Sequence, residues 1–311
     1  MLDAVSKSFF HMLARSQSVK HMATRYGMAS PRAFGRRFIA GETMDEAMVA
    51  ARALQDQGLL LTLDQLGESV TNAAEATAAT DGIVALVEKV VAAGVDRNVS
   101  VKLTQLGLDI DQTLCTDNLR RIISTAQPLG VFVRVDIENT PYIQKTFDVF
   151  MTLWNEGFRN TGTALQSAVF RSEDDARFMC THGIRVRLIK GAYKEPPAVA
   201  HQAKADVDAA YVRLMKVLMS DGVYPGIATH DPNMIEAAKA YAADQNIPRD
   251  KFEFQMLYGI RRDLQNALVK DGYRMRVYVP FGTEWFPYFM RRLGERPANV
   301  GFVLKGIFGE R

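Results

Sequence analysis

The sequence lacks the features that mark several common classes of protein. Its 311 residues include only two cysteines, Cys115 and Cys180, and neither belongs to a CxxC pair. So few cysteines do not suit a disulfide framework, and they favour a reducing compartment. His230 has no histidine or cysteine near it at the spacing of metal ligands, so no metal site is predicted.

Charge and apolar length exclude further classes. The 38 basic and 35 acidic residues leave a formal net charge of +3, which is too small to indicate binding of nucleic acid. No window approaches the roughly 20 apolar residues of a membrane span. Near the N-terminus, Asp3, Lys7, His11 and Arg15 interrupt the apolar run that a signal peptide needs. We expect a cytoplasmic protein, and peripheral attachment to the inner face of the cytoplasmic membrane stays open.

The first 40 residues differ from the rest of the chain. Aromatic and aliphatic residues are spaced among basic ones in a broadly helical pattern, until Ser30 and Pro31 interrupt it. We predict a helical arm over residues 1–40 and a main domain over residues 41–311. The apolar side of the arm either packs on the main domain, which we favour, or touches lipid as a basic amphipathic surface.

From residue 59 onward, strands and helices alternate. Short β-rich segments recur eight times, at Leu59–Leu63, Val99–Thr104, Val131–Ile137, Thr163–Ala168, Ile184–Ile189, Gly226–His230, Phe252–Leu257 and Met275–Pro280. Helix-like stretches separate them, among them Asp81–Ala93, Leu119–Gln127, Ile143–Asn155, His201–Met219, Met234–Ala243 and Arg261–Lys270. This alternation predicts a parallel sheet, and eight such units predict an α/β fold closed into a (β/α)8 barrel.

An open doubly wound sheet has the same periodicity. The predicted helices, however, do not open with the G-x-G-x-x-G fingerprint that such sheets use to bind dinucleotides. We therefore favour the barrel, and any nucleotide cofactor must be held without a Rossmann loop.

Polar side chains fall inside most of the predicted strands. From the second strand to the eighth they are Lys102; Asp136 and Glu138; Gln166; Arg187 and Lys190; Thr229, His230 and Asp231; Glu253 and Gln255; Arg276 and Tyr278. Burying such groups is costly unless they are paired, and active sites of barrels lie at the carboxyl ends of the strands. The pattern therefore favours a functional site at that end.

Each of these residues also has a purely structural interpretation. Lys102 could form an ordinary ion pair with Asp136, and Gln166 could satisfy a neighbouring backbone group. His230 could be a core histidine. Glu253 could point outward to a helix, because neighbours along a strand face opposite sides.

The segment Trp285–Asn299 predicts a helix after the eighth strand. Arg291 and Arg292 are adjacent in it, so their side chains diverge by about 100° and can reach two different anions. Arginine is suited to bidentate recognition of carboxylate or phosphate. Arg291 and Glu295 lie four residues apart and could pair. Taken alone, this pattern is typical of a solvated helix face.

Taken together and in order, the motifs from about residue 38 to 304 resemble the proline dehydrogenase family. They are G-E-T-M-D-E-A, L-D-Q-L-G-E-S-V, V-S-V-K-L-T-Q-L-G-L, R-V-D-I-E, R-L-I-K-G-A-Y-K-E, I-A-T-H-D, F-E-F-Q-M-L-Y-G-I-R, Y-V-P-F-G-T-E-W-F-P-Y and R-R-L-G-E-R-P-A-N. In length the chain resembles the short monofunctional bacterial enzymes more than the bifunctional ones.

The resemblance implies a flavoprotein of proline catabolism. Its members hold FAD on a distorted (β/α)8 barrel and oxidise L-proline to Δ1-pyrroline-5-carboxylate, by hydride transfer from C5 of proline to N5 of the flavin. The electrons pass to a membrane quinone. The resemblance also implies that the helix after the eighth strand lies over the site. Whether the protein forms a homo-oligomer stays open.

Residue roles also follow from the resemblance. Lys102, Arg291 and Arg292 would bind the proline carboxylate, with Tyr278 beside the ring, where it excludes 4-hydroxyproline. Asp136, paired with Lys102, and Arg187 would be the catalytic residues. The residues expected to contact FAD are Ile137, Gln166, Arg187, Lys190, Gly191, Ala192, Tyr193, Thr229, His230, Gln255, Arg292, Glu295 and Asn299.

The sequence departs from the family at the fourth strand and leaves other functions open. Ala168 stands where an aromatic residue is usual, so the packing beneath that strand is in doubt. A barrel lyase that forms a Schiff base on Lys102 or Lys190 is one alternative. A non-catalytic protein that binds flavin or an amino acid is another.

Overall fold

Eight parallel strands close into a barrel in chain order. The computed structural model describes residue 28 and residues 34–67 and 70–295, with side chains as far as residue 290. The strands are β1 Leu60–Gln65, β2 Asn98–Val101, β3 Phe132–Val135, β4 Thr161–Gln166, β5 Arg185–Ile189, β6 Gly226–Ala228, β7 Glu253–Leu257 and β8 Met275–Phe281. Strand β8 pairs with β1 and completes the barrel. The predicted fold is confirmed, and the open sheet is excluded.

Helices surround this barrel. A 3-10 helix spans Phe34–Arg37, and the α-helices of the described ranges are α1 Met44–Gln55, α2 Ala73–Ala92, α3 Gln112–Ala126, α4 Thr140–Asn155, α5 Ser172–Thr181, α6 Lys204–Asp221, α7 Pro232–Asp244, α8 Arg262–Lys270 and α9 Trp285–Glu295. Within those ranges no helix combines the length and the apolar character needed to cross a membrane.

The apolar core lies between the strands and the helices. Side chains alternate along a strand, so Leu61 and Leu63 of β1 belong to this fully buried core. The intervening residues face the barrel interior, where Thr62 donates to Asn98 Oδ1 at 2.9 Å and Lys102 contacts Asp64. Branched apolar residues usually fill the interior of such barrels. Here polar side chains occupy much of it and must satisfy one another.

An ion-pair network occupies the amino-terminal end of the interior. Arg276 Nε lies 2.6 Å from Glu253 Oε1, and Arg276 Nη1 lies 2.6 Å from Asp96 Oδ2. Tyr224 also donates to Glu253, at 2.9 Å. Burial opposes ionisation of Glu253, but attraction to Arg276 and the hydrogen bonds that Glu253 accepts outweigh it, and its pKa lies below the usual value.

This network corrects two interpretations of the sequence. Glu253 begins β7 and Arg276 is the second residue of β8, so both lie far from the carboxyl ends where they were grouped with site residues. Glu253 also faces the interior rather than a helix, as its contact with Arg276 demonstrates. Position along the strand, which a list of polar residues ignores, separates structural from site residues.

A second apolar cluster joins the N-terminal segment to the last helix. Phe38 and Ile39 are buried against Trp285 and Phe289 of α9, and the Phe38 and Phe289 ring centroids are 6.0 Å apart. Leu66, directly after β1, belongs to the same cluster, so α9 packs at the carboxyl end of the barrel. The end of the predicted arm thus packs on the domain. Residues 1–27 lie outside the described residues, and the boundary at residue 40 stays a prediction.

We expect Arg276→Met to lower the free energy of unfolding by about 3–5 kcal/mol, because it leaves Glu253 buried without its cation. Urea titration followed by circular dichroism measures the loss. Lys89→Met is the control, because Lys89 pairs with Asp45 on the surface and such pairs contribute below about 1 kcal/mol. Equal losses in the two variants would contradict a stabilising role for the buried network.

Candidate active site

Asp136 lies at the centre of a polar cluster at the carboxyl ends of the strands. It directly follows β3 and accepts hydrogen bonds from Tyr278 OH at 2.9 Å, from Ser100 Oγ at 3.2 Å and from Arg187 Nη1. Lys102 Nζ lies 3.9 Å from Asp136 Oδ2, the oxygen that also accepts from Tyr278. The structure therefore brings together four residues predicted for the site, and the predicted pairing of Asp136 with Lys102 is present.

A second carboxylate completes the cluster. Asp64 on β1 is buried, and its Oδ2 lies 3.4 Å from Lys102 Nζ. Sequence analysis missed this residue, although L-D-Q-L-G places an aspartate near the end of the first strand. Two carboxylates now face two cations, Lys102 and Arg187, so the charges of these four side chains balance. An anionic ligand would need additional positive charge.

Tyr278 is a neutral hydrogen-bond donor in this cluster. Burial, together with the nearby charges of Asp136 and Asp64, raises the pKa of its phenol well above the usual value. The guanidinium carbon of Arg187 lies 5.2 Å from the centre of its ring, within the range of a cation–π contact. Tyr278 therefore fixes the position of both Asp136 and Arg187.

Gln166 and Gly191 lie next to each other at the carboxyl ends of β4 and β5. The Gln166 amide donates to the Glu138 carbonyl at 2.8 Å, whereas its Oε1 is buried with no hydrogen-bond partner in the described part of the chain. A missing partner for a buried acceptor costs about 1–3 kcal/mol. Gly191 has φ +113°, and a Cβ atom there would lie 3.1 Å from that oxygen. This part of the site is suited to a ligand that donates a hydrogen bond.

Two other predicted residues, Lys190 and His230, already make contacts within the protein. Lys190 Nζ contacts Asp208 and lies 2.8 Å from Asp231 Oδ2. His230 Nε2 accepts from the Leu257 backbone N–H at 2.9 Å, so its neutral ring carries the proton on Nδ1. These contacts place both residues between neighbouring elements at the rim of the barrel.

Thr229, Ile137, Ala192 and Tyr193 are further predicted cofactor residues at this end of the barrel, whereas Gln255 is the third residue of β7. Thr229 Oγ1 accepts from the Asp231 backbone at 3.1 Å, and Ile137 is buried directly after Asp136. Ala192 and Tyr193 follow Gly191 in the loop after β5, where Tyr193 is exposed. No cluster of His, Cys, Asp or Glu in the described ranges is arranged to hold a metal ion.

Glu195 fastens this loop to helix α4. The Thr140 backbone N–H donates to Glu195 Oε1 at 2.9 Å, and the Thr140 hydroxyl donates to Oε2. The N-cap residue of α4, Asn139, makes no side-chain capping bond. Glu195 therefore supplies the cap from another part of the chain, and a carboxylate is favourable at a helix N-terminus. Sequence analysis missed this role, because the two residues are distant in the chain.

Four predicted residues lie outside the described side chains or beyond the described backbone. Arg291, Arg292 and Glu295 belong to α9, whose side chains are described as far as Met290. Asn299 lies outside the described residues. Their roles stay predictions.

Comparison with known proteins identifies the family. The proline dehydrogenase family model matches residues 47–305. The chain belongs to the proline dehydrogenase family. It is 40% identical to proline dehydrogenase 1 of Bacillus subtilis subsp. natto over 96% of this chain and 97% of that protein. It is 42% identical to the proline dehydrogenase of Deinococcus radiodurans over 87% of this chain and 89% of that protein.

A solved structure extends the likeness to the fold. The crystal structure of proline utilization A (PutA) from Bdellovibrio bacteriovorus, inactivated by N-propargylglycine, superposes with a TM-score of 0.80 and 28% identity. The match covers 89% of this chain and 34% of PutA, so the chain spans about a third of that protein's length. Family resemblance, enzyme class and barrel are thus confirmed, and the similarity in length is to the short proline dehydrogenases.

We expect Glu195→Ala to loosen the loop after β5 and to lower the free energy of unfolding by about 0.5–2 kcal/mol, as loss of an N-cap does. Hydrogen–deuterium exchange of peptides covering residues 190–203 should rise. Asp45→Ala is the control, because Asp45 lies in the first turn of α1 and pairs with Lys89 of α2 on the surface. Unchanged exchange in Glu195→Ala would show that the carboxylate does not hold the loop.

Proposed function

We propose that this chain is an FAD-dependent dehydrogenase that converts L-proline to Δ1-pyrroline-5-carboxylate, the first step of proline catabolism to glutamate. The observation that carries the proposal is the cluster around Asp136. It places Lys102, Arg187 and Tyr278 within contact of one carboxylate at the carboxyl end of a barrel. The family to which the chain belongs supplies the substrate.

The charge balance of this cluster supports the proposed substrate site. Lys102 and Arg187 are matched by Asp64 and Asp136, so the carboxylate of proline requires further cations. Arg291 and Arg292 on the helix after β8 would supply them and would bind the proline carboxylate alongside Lys102. Tyr278 would lie beside the proline ring and exclude 4-hydroxyproline.

The described residues fit a flavin. Its ring system carries an N–H group, for which the buried Gln166 Oε1 is a suitable acceptor. Arg187 would stabilise the negative charge that accompanies reduction. The chemistry that FAD would supply is an acceptor, at N5, for the hydride from C5 of proline. The residues that would hold FAD are Ile137, Gln166, Arg187, Lys190, Gly191, Ala192, Tyr193, Thr229, His230, Gln255, Arg292, Glu295 and Asn299.

The protein would contribute position and charge, without a nucleophile. Asp136 would hold Lys102 and Arg187 in fixed relation, so that the bound substrate has one orientation. A Schiff-base lyase is less well supported, because it requires a neutral lysine. Lys102 and Lys190 each lie within ion-pair distance of two carboxylates, so both amines are already engaged within the protein.

The electron acceptor follows from the family. We include in the proposal that electrons leave the flavin for a membrane quinone. This transfer implies peripheral contact with the inner face of the cytoplasmic membrane.

We expect the purified protein to be yellow and to contain FAD, and L-proline added without oxygen to abolish the visible flavin absorbance band. The reason is that hydride transfer from proline reduces the flavin. Anaerobic spectrophotometry measures the change, with D-proline as the control. A colourless protein that needs no FAD would contradict the proposal, and a yellow protein that proline never bleaches would be a binding protein.

We expect Arg291→Met or Arg292→Met to raise the KM for proline by about 10- to 150-fold, because a hydrogen bond to a charged group contributes about 1.5–3 kcal/mol. Steady-state kinetics with an artificial electron acceptor measures the effect. Arg177→Met on the exposed side of α5 is the control. An unchanged KM would remove the arginine concerned from the substrate site.

A further inference from the structure

Glu253 begins a series of hydrogen bonds that runs from the amino-terminal end of the barrel interior to Arg187 in the proposed flavin site. Gln255 Nε2 donates to Glu253 Oε1 at 2.6 Å. Gln255 Oε1 in turn accepts from Arg187 Nε at 2.6 Å. All three side chains are buried, and Glu253 and Gln255 lie on the same face of β7.

Only one arrangement of donors and acceptors is possible along these hydrogen bonds. A carboxylate can only accept, so the amide NH2 of Gln255 must face Glu253. The amide oxygen must then face Arg187, whose guanidinium can only donate. Glu253 and Arg187 therefore favour the same orientation of the Gln255 amide, and Glu253 anchors its NH2 end.

Arg187 is held at two edges as a result. Gln255 binds its Nε, while Asp136 and Ser100 bind its Nη1. A planar guanidinium fixed through two of its nitrogens keeps one orientation. If the Gln255 amide turned over, its NH2 would face a donor, and this contact would be lost.

Gly226 makes room for the arrangement. It begins β6, and a Cβ atom there would lie 2.4 Å from Gln255 Nε2 and 2.8 Å from Gln255 Cδ. Any side chain at position 226 would therefore displace the amide. This observation is independent of the hydrogen bonds and points to the same side chain.

We propose that Glu253 is a positioning residue for Arg187, acting through Gln255, and that it thereby sets how strongly the flavin is driven to accept electrons from the substrate. The inference rests on the proposed function, in which Arg187 lies beside the flavin. It assigns to a residue at the opposite end of the barrel an effect on the reaction.

Glu253→Gln and Gly226→Ala test the inference by different routes in the flavin-loaded protein. Glu253→Gln removes the fixed acceptor and leaves Arg276 its bond to Asp96. Gly226→Ala changes no charge and moves only the amide of Gln255. Thr62→Val is the control, because it removes another buried hydrogen bond of the barrel interior, the one to Asn98.

The measurements are the midpoint potential of the bound flavin and its anaerobic rate of reduction by L-proline. In both variants we expect the equilibrium constant for flavin reduction to fall about tenfold, a shift of about 30 mV to lower potential for a two-electron couple. The reduction rate should fall with it. Thr62→Val should keep the wild-type potential, whatever its stability.

Two results would overturn the inference. The first is a wild-type potential in both variants, with a loss of stability no different from that of Thr62→Val. The second is a changed potential in Glu253→Gln alone, because Glu253 would then act independently of Gln255; an upward shift would identify its negative charge, whose removal favours reduction of the flavin. If Glu253→Gln does not fold, the potential of Gly226→Ala decides. Failure of the proposed function is distinguishable, since the wild-type protein itself would then hold no flavin that proline bleaches.

Discussion

Cations can be buried inside this barrel only where anions or carbonyl groups lie within hydrogen-bonding distance of them. Carboxylates meet this requirement at both ends of the barrel interior. Glu253 compensates Arg276 near the amino-terminal end, and Asp136 compensates Arg187 at the mouth. Arg134, between them, instead donates to the carbonyl groups of Thr163 and Arg185, each at 2.6 Å. The candidate site is thus the carboxyl-terminal part of one polar interior. The amino-terminal part of the same interior stabilises the barrel.

The fold was predictable because strands and helices of a barrel differ in period and alternate regularly. The seventh strand was predicted at Phe252–Leu257 and is found at Glu253–Leu257. Helix starts were predicted less well. Helix α2 begins at Ala73, well before the predicted Asp81, because Asn72 caps it and an alanine-rich turn favours helix without apolar periodicity.

For the candidate site, the sequence predicted several of the side chains that gather at the carboxyl ends of the strands, and fewer of the contacts among them. The rule that site residues follow strand ends identified Lys102, Asp136 and Gln166, and the same rule could have identified Asp64. It also admitted Arg276, because it does not weigh position along the strand. Glu195 could not have been found in this way, since its partner Thr140 is brought to it only by the closed barrel.

The hydrogen bonds between Glu195 and Thr140 also couple the ordering of the loop after β5 to the stability of α4. Any ligand that orders the loop after β5 would hold Glu195 at the first turn of α4 for a larger fraction of the time. Part of the binding free energy would then be measured as resistance of α4 to local unfolding. By the same linkage, a substitution that frays α4 would weaken the binding of a ligand that never touches this helix.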